Sequence, residues 1–283
     1  MEIGVNKMSE CSHDCSHCSQ DCGERKIEKI TTNDLSKVKR VIGVLSGKGG
    51  VGKSFVASLL ASELRKRNHE VGILDADITG PSIPNAFGIE DKAMGENQMI
   101  FPAVTKSGIS LISSSMFLEH KEDPIIWRGV MLGEMVKQFY HDVYWKDVDY
   151  MVVDMPPGTG DVALTTFQYL PVDAIIIVTS PQELVSTIVQ KAVRMAEMMD
   201  IPVLGLVENM AYVECPDCHQ KIAIYGPSHV QEVAEQYHLP ILAQIPLRAD
   251  LAQNADEGKI EEIDATFLRD LVDVVEAMPA KEE

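Results

Sequence analysis

Two cysteines, Cys215 and Cys218, stand two residues apart in the stretch "VECPDCHQK" at positions 213 to 221. A C-x-x-C pair supplies two soft thiolates, half of what a tetrahedral zinc ion or an iron–sulfur cluster requires. The other four cysteines, Cys11, Cys15, Cys18 and Cys22, lie near the start of the chain with His13 and His17 among them. That C-x3-C-x2-C-x3-C run reads either as a second metal or cluster site or as a flexible thiol-rich tail that holds nothing stably.

A second centre of chemistry is "SGKGGVGKS", which matches G-x-x-x-x-G-K-S/T at Gly47, Gly52, Lys53 and Ser54. Gly47, Lys48, Gly49, Gly50, Val51 and Gly52 would turn their backbone N–H groups around phosphate oxygens, with a helix dipole behind them. Lys53 would neutralise the β- and γ-phosphates and Ser54 would ligate Mg²⁺, which predicts a bound nucleoside triphosphate. Carboxylates follow in "GILDADITGPS", with Asp75 and Asp77, and in "MVVDMPPGTGD", with Asp154 and Asp161. An apolar strand that ends in Asp presents it at the carboxyl edge of a parallel sheet, where ligands bind, so Asp154 suits a magnesium-holding role.

These groups need a scaffold, and the apolar pattern supplies one. Short Val- and Ile-rich runs recur at "VIGVL" (41), "VGILD" (71), "ISLIS" (109), "YMVVD" (150), "AIIIVT" (174), "VLGLVEN" (203) and "ILAQIP" (241). Amphipathic stretches such as "SFVASLLASELRKRN" and "ELVSTIVQKAVRMAEMM" separate them. Continuous apolar strands alternating with helices predict one α/β domain, a mostly parallel sheet covered by helices on both faces. Residues 1–22 read as a cysteine-rich tail, 23–39 as a linker and 40–283 as the phosphate-loop domain carrying the CPDC segment.

Composition narrows the function classes. With 25 Lys and Arg against 43 Asp and Glu, the net charge is −18, which repels DNA phosphates and anionic lipid heads, so neither nucleic acid nor membrane is an expected partner. There is no run of 18 apolar residues and no signal-peptide pattern, so a cytoplasmic location is expected. In a reducing compartment the six cysteines read as metal ligands rather than disulfides.

Two resemblances refine this. Lys48, directly after the first glycine of the loop, makes "KGGVGK" similar to the deviant Walker A loop of the MinD/ParA/nitrogenase iron protein class, where that lysine reaches into the partner subunit's nucleotide site; this implies an ATP-bound homodimer. More narrowly, "SGKGGVGKS", "LDADITGPSIPNAFG", "WRGVM", "VDMPPGTGD", "ENM" and "CPDC" resemble, in order and spacing, the Mrp/ApbC family of iron–sulfur cluster carrier ATPases, over residues 41 to about 260. The resemblance implies that Asp77 orients the attacking water beside Lys48 and Lys53, that Asp75 supports the magnesium shell, and that Asn209 contacts adenine.

From the cysteines alone, a zinc ion with His219 or His229 and a shared cluster stand level. The resemblance implies a 4Fe–4S cluster held by Cys215 and Cys218 of two subunits. It also implies apo iron–sulfur proteins and a cluster-assembly scaffold as partners. Eukaryotic relatives carry an N-terminal cysteine motif with a much longer first gap, so no residue-by-residue role transfers to Cys11, Cys15, Cys18 or Cys22. A MinD/ParA-like positioning ATPase and a nitrogenase-iron-protein-like reductase are the rival classes.

Overall fold

The computed structural model describes residues 29–77, 80–96, 99–118, 129–158, 160–181 and 185–279. In chain order its elements are β1 (Lys37–Ser46), α1 (Lys53–Lys66), β2 (Val71–Asp75), α2 (Ile83–Ala86), β3 (Met94–Glu96), β4 (Met99–Phe101), β5 (Ala103–Val104) and β6 (Ser110–Ser113). There follow α3 (Gly129–His141), β7 (Asp147–Asp154), α4 (Asp161–Tyr169), β8 (Ala174–Thr179), α5 (Val185–Met198) and β9 (Val203–Glu208). Then come β10 (Val213–Glu214), β11 (Lys221–Ile222), α6 (Val230–Tyr237), β12 (Ile241–Gln244), α7 (Ala249–Asp256) and α8 (Arg269–Glu276).

The strands order as β12-β9-β8-β1-β7-β2-β6-β5 in one eight-stranded sheet. Neighbours are parallel throughout except for β5, which runs antiparallel to β6 at the edge. All seven apolar runs are strands of this sheet, and the expected α/β architecture is the observed one. The reason is visible in β8, where all six residues are buried because helices cover both faces. On one face α1 buries Val56, Leu59, Leu60 and Leu64. Close packing also fixes where bulk is tolerated: the Trp145 ring lies so near Gly72 that a Cβ there would sit 3.2 Å from it, and its indole N–H donates to the Phe139 carbonyl at 3.1 Å.

Of the stretch read as a linker, 23–39, residues 23–28 lie outside the described residues, and residues 29–39 differ from expectation. The first strand begins at Lys37, and the residues before it are tied to the body: Asn33 Nδ2 donates to the carbonyls of His141 and Val143, and the Ile30 N–H donates to Tyr169. Apolar periodicity misses such a segment because it is held by polar bonds rather than by a buried face. Three further pieces carry too few residues for a pattern: the β3–β4 pair, β5, and the antiparallel β10–β11 ribbon.

Candidate nucleotide and cysteine sites

The carboxyl ends of β1, β7 and β2 are neighbours in the sheet, and this adjacency assembles the phosphate loop and the carboxylates. The loop leaves β1 at Ser46 and enters α1 at Lys53. Gly52 caps that helix at φ 83°, a left-handed conformation, and a Cβ there would lie 2.1 Å from Asn209 Nδ2. Only glycine fits. The Ser46 hydroxyl donates to the Lys48 carbonyl at 2.9 Å, and the Gly158 N–H, from the turn after β7, donates to the Ser46 carbonyl at 2.8 Å.

Lys53 is buried at the head of α1, its Nζ 2.6 Å from Asp154 Oδ1 and 3.4 Å from Asp77 Oδ2. The Ser54 hydroxyl donates to Asp154 Oδ2 at 2.5 Å. Asp75 and Asp154 are direct partners across the β2–β7 pairing, so two fully buried carboxylates lie side by side. Burial pushes both above the ordinary carboxylate range; Lys53 works against this at Asp154, while the charge of Asp154 adds to it at Asp75. The donor set of Ser54, Asp154 and Asp75 is the hard-oxygen set that Mg²⁺ takes, and phosphates in the loop would give Lys53 a second anionic partner. Of the sequence-predicted residues, Lys53, Ser54, Asp75, Asp77 and Asp154 thus converge. The Asp161 backbone opens α4 on the neighbouring loop.

Asn209 sits immediately after β9, buried against the phosphate loop. Its Nδ2 donates to the Val51 carbonyl at 2.9 Å and its Oδ1 accepts the Met210 N–H at 3.0 Å. Both amide ends are therefore engaged with backbone, a role beyond the base contact expected of it. Sequence reasoning missed two other groups here. Ser113, at the end of β6, donates to Asp75 Oδ2 at 2.9 Å, and Glu208 accepts hydrogen bonds from Ser228 and, at 2.7 Å, from Gln244 Nε2. The ends of the same apolar runs that flagged the aspartates were the available signal.

The cysteines lie at the tip of the β10–β11 ribbon. The Cys215 N–H donates to the Gln220 carbonyl and the His219 N–H to the Cys215 carbonyl, each at 3.0 Å, closing a tight turn. Cys218 is exposed and Cys215 half-exposed. The N–H groups of Cys218 and Asp217, followed by the Cys218 thiol, hold Cys215 below the usual thiol range. Among the described residues no group of three His, Cys, Asp or Glu gathers as a metal site. His219 Nδ1 instead pairs with Glu214 Oε1 at 2.6 Å. The root of the segment is pinned: the Ser228 hydroxyl donates to Glu208, and the Leu247 N–H donates to Tyr212 at 2.7 Å. Cys11, Cys15, Cys18 and Cys22 lie outside the described residues.

The family model for the ParA-type NUBPL iron-transfer P-loop NTPases matches residues 37–278. The chain belongs to this family. Similar members include proteins named iron-sulfur cluster carrier protein from Clostridium perfringens, 43% identical over 88% of this chain and 90% of that one, and from Methanocaldococcus jannaschii, 40% identical over 89% and 90%. A nucleotide-binding protein from Archaeoglobus fulgidus, solved in complex with ADP, is 38% identical with a TM-score of 0.74, covering 87% of this chain and 94% of that one. The cell division ATPase MinD of Pyrococcus furiosus, at 20% identity and TM-score 0.60 over 84% and 97%, shares the fold. Membership in this NTPase family makes the chain an ATPase by class, and the Mrp/ApbC resemblance holds. Among the described residues no helix is long and apolar enough to cross a membrane.

Proposed function

We propose that this family member is a cytoplasmic ATP-dependent carrier that receives a 4Fe–4S cluster from an assembly scaffold and passes it to apo iron–sulfur proteins. The observation that carries the reading is the ribbon tip: two accessible cysteines, one with a depressed thiol pKa, held in a tight turn with no third ligand gathered beside them among the described residues. A two-fold axis between two such tips would complete four thiolates around one cluster. The relatives' name as cluster carriers supports the cargo.

ATP would lie in the loop Gly47–Ser54. Lys53 and the loop N–H groups bind its phosphates, Lys48 reaches the partner's nucleotide, and Asp77 orients the attacking water while Ser54, Asp75 and Asp154 hold magnesium. Mg²⁺ supplies neutralisation of the developing phosphate charge. Hydrolysis acts as a switch on the shared interface, and through it on the grip of the cysteines. Neither nucleic acid nor membrane belongs among the partners.

Anaerobic reconstitution of the full chain, with iron and sulfide assays, visible spectra and solution mass, tests this. Wild type should hold one cluster per dimer, and Cys215→Ala or Cys218→Ala should hold none at the ribbon. A protein that binds only zinc, or a double cysteine variant that keeps a full transferable cluster once Cys11, Cys15, Cys18 and Cys22 are also replaced, defeats it.

A further inference from the structure

Three neighbouring strands end level with one another at the carboxyl edge of the sheet. In the pairing of β6, β2 and β7, Ser113 faces Asp75 and Asp75 faces Asp154, so the three side chains form one row behind the head of α1. All three are completely buried. Ser54 and Lys53 reach the outer member, Asp154, and the N–H of Asp77 donates to Asp75 Oδ1 at 3.2 Å. The remaining Asp75 oxygen, Oδ2, accepts the Ser113 hydroxyl at 2.9 Å. The Ser115 hydroxyl lies 3.2 Å from the Ser113 oxygen, so Ser115 can donate to Ser113 while Ser113 donates to Asp75.

We infer that Ser113 is a positioning residue for the magnesium shell of the nucleotide site: it fixes the plane of the Asp75 carboxylate so that Asp75 supports the metal held at Ser54 and Asp154. The physical ground is the setting. A carboxylate that turns in a dry strand row has few donors to choose from, and at Asp75 one oxygen is oriented by backbone and the other by this hydroxyl. Groups that orient a metal's supporting ligands typically alter metal affinity by about 10–100-fold when removed. Ser113 acts through Asp75, with no contact of its own to Ser54 or Lys53 among the hydrogen bonds of the site.

The inference rests on the Mg-ATP reading above, and the two can fail separately. ATP turnover of the full chain is measured against Mg²⁺ concentration for wild type, Ser113→Ala, Ser113→Thr, Asp75→Asn and the Ser113→Ala/Asp75→Asn pair, with thermal melting and binding of a fluorescent ATP analogue in EDTA alongside. Ser113→Ala should raise the half-saturating Mg²⁺ by about tenfold, with analogue binding in EDTA changed by less than about twofold. Ser113→Thr, which keeps the hydroxyl, should recover most of the loss. The paired variant should be no worse than Asp75→Asn alone, since the hydroxyl acts through that carboxylate. An unchanged Mg²⁺ requirement in Ser113→Ala, additive losses in the pair, or an equal fall in metal-free binding overturns the role. Should Ser113→Ala fail to fold, Ser113→Cys, which keeps the side chain's length but replaces the hydroxyl by a weak donor, decides: a raised Mg²⁺ requirement with unaltered metal-free binding supports the role, and a wild-type requirement overturns it. If wild type itself shows no Mg²⁺-dependent turnover, the Mg-ATP reading fails first and the inference with it.

Discussion

Lys53 and Asp77 lie 3.4 Å apart yet have separable roles in the proposed chemistry. Lys53→Ala removes the main cation facing the phosphates and leaves the buried Asp154 without its cationic partner, so nucleotide binding or turnover should be abolished, and equilibrium binding with a turnover assay checks it. Asp77→Ala should keep ATP affinity and lose hydrolysis, because orienting water matters only on the way to the transition state; normal turnover would move that role to Asp161 or Asp75. Asn209 makes a sharper case because its amide orientation is set by chemistry: the Val51 carbonyl requires a donor and the Met210 N–H an acceptor. Asn209→Asp would set a carboxylate oxygen against the Val51 carbonyl and distort the loop at Gly52. Nucleotide affinity should fall by about tenfold or more, on the order of 1–3 kcal/mol for an unsatisfied buried group, and Asn209→Ala should be milder. Titration calorimetry of the three proteins reads the order directly, and equal affinities would remove Asn209 from the loop's support.

Between elements, one tight backbone approach joins the turn after α2 to the turn after α7. Gly258, at φ 71°, would place a Cβ 2.5 Å from the Gly88 Cα, and Gly88 at φ 64° meets the Gly258 carbonyl at 3.1 Å in return. The turn after α2 is thereby anchored to the C-terminal part of the domain. Gly258→Ala combines a left-handed conformation with a backbone clash and should cost at least about 2 kcal/mol, read as a lowered denaturation midpoint at unchanged slope. A midpoint within error of wild type would mean that the two turns separate freely. The β10–β11 ribbon obeys the opposite logic. It buries little of itself, and its geometry depends on the turn around Cys215 and on the roots at Ser228 and Tyr212. Such an element is poised to be ordered further by whatever it binds.

For the whole molecule, two copies that each carry −18 must approach closely if they share a cluster. Like-charge repulsion between them is long-ranged and falls as the Debye length shrinks from about 14 Å at 50 mM salt toward about 6 Å at 300 mM. Association should therefore strengthen severalfold over that range. Sedimentation velocity on the metal-free chain measures it, and weakening with salt would show that opposite-charge pairs dominate the interface instead.

The sequence by itself determined the phosphate loop, seven of the eight strands of the sheet and the strand-end aspartates. Each follows from local information: glycines at fixed spacing before a lysine, or apolar runs long enough to be buried on both faces. It also displayed the CPDC pair and the Lys48 signature. Only the tertiary structure decided what those groups meet. That Asp75 stands between Ser113 and Asp154 depends on strand order, which brings β6, β2 and β7 together although 41 residues separate Ser113 from Asp154. That Asn209 supports the loop at Val51 depends on β9 ending beside α1 across 158 positions of sequence. The polar bonds that tie down residues 30–36 were equally invisible, because single hydrogen bonds between distant segments leave no periodic trace. Spacing is written along the chain, whereas juxtaposition across a parallel sheet is set by burial of all its strands at once.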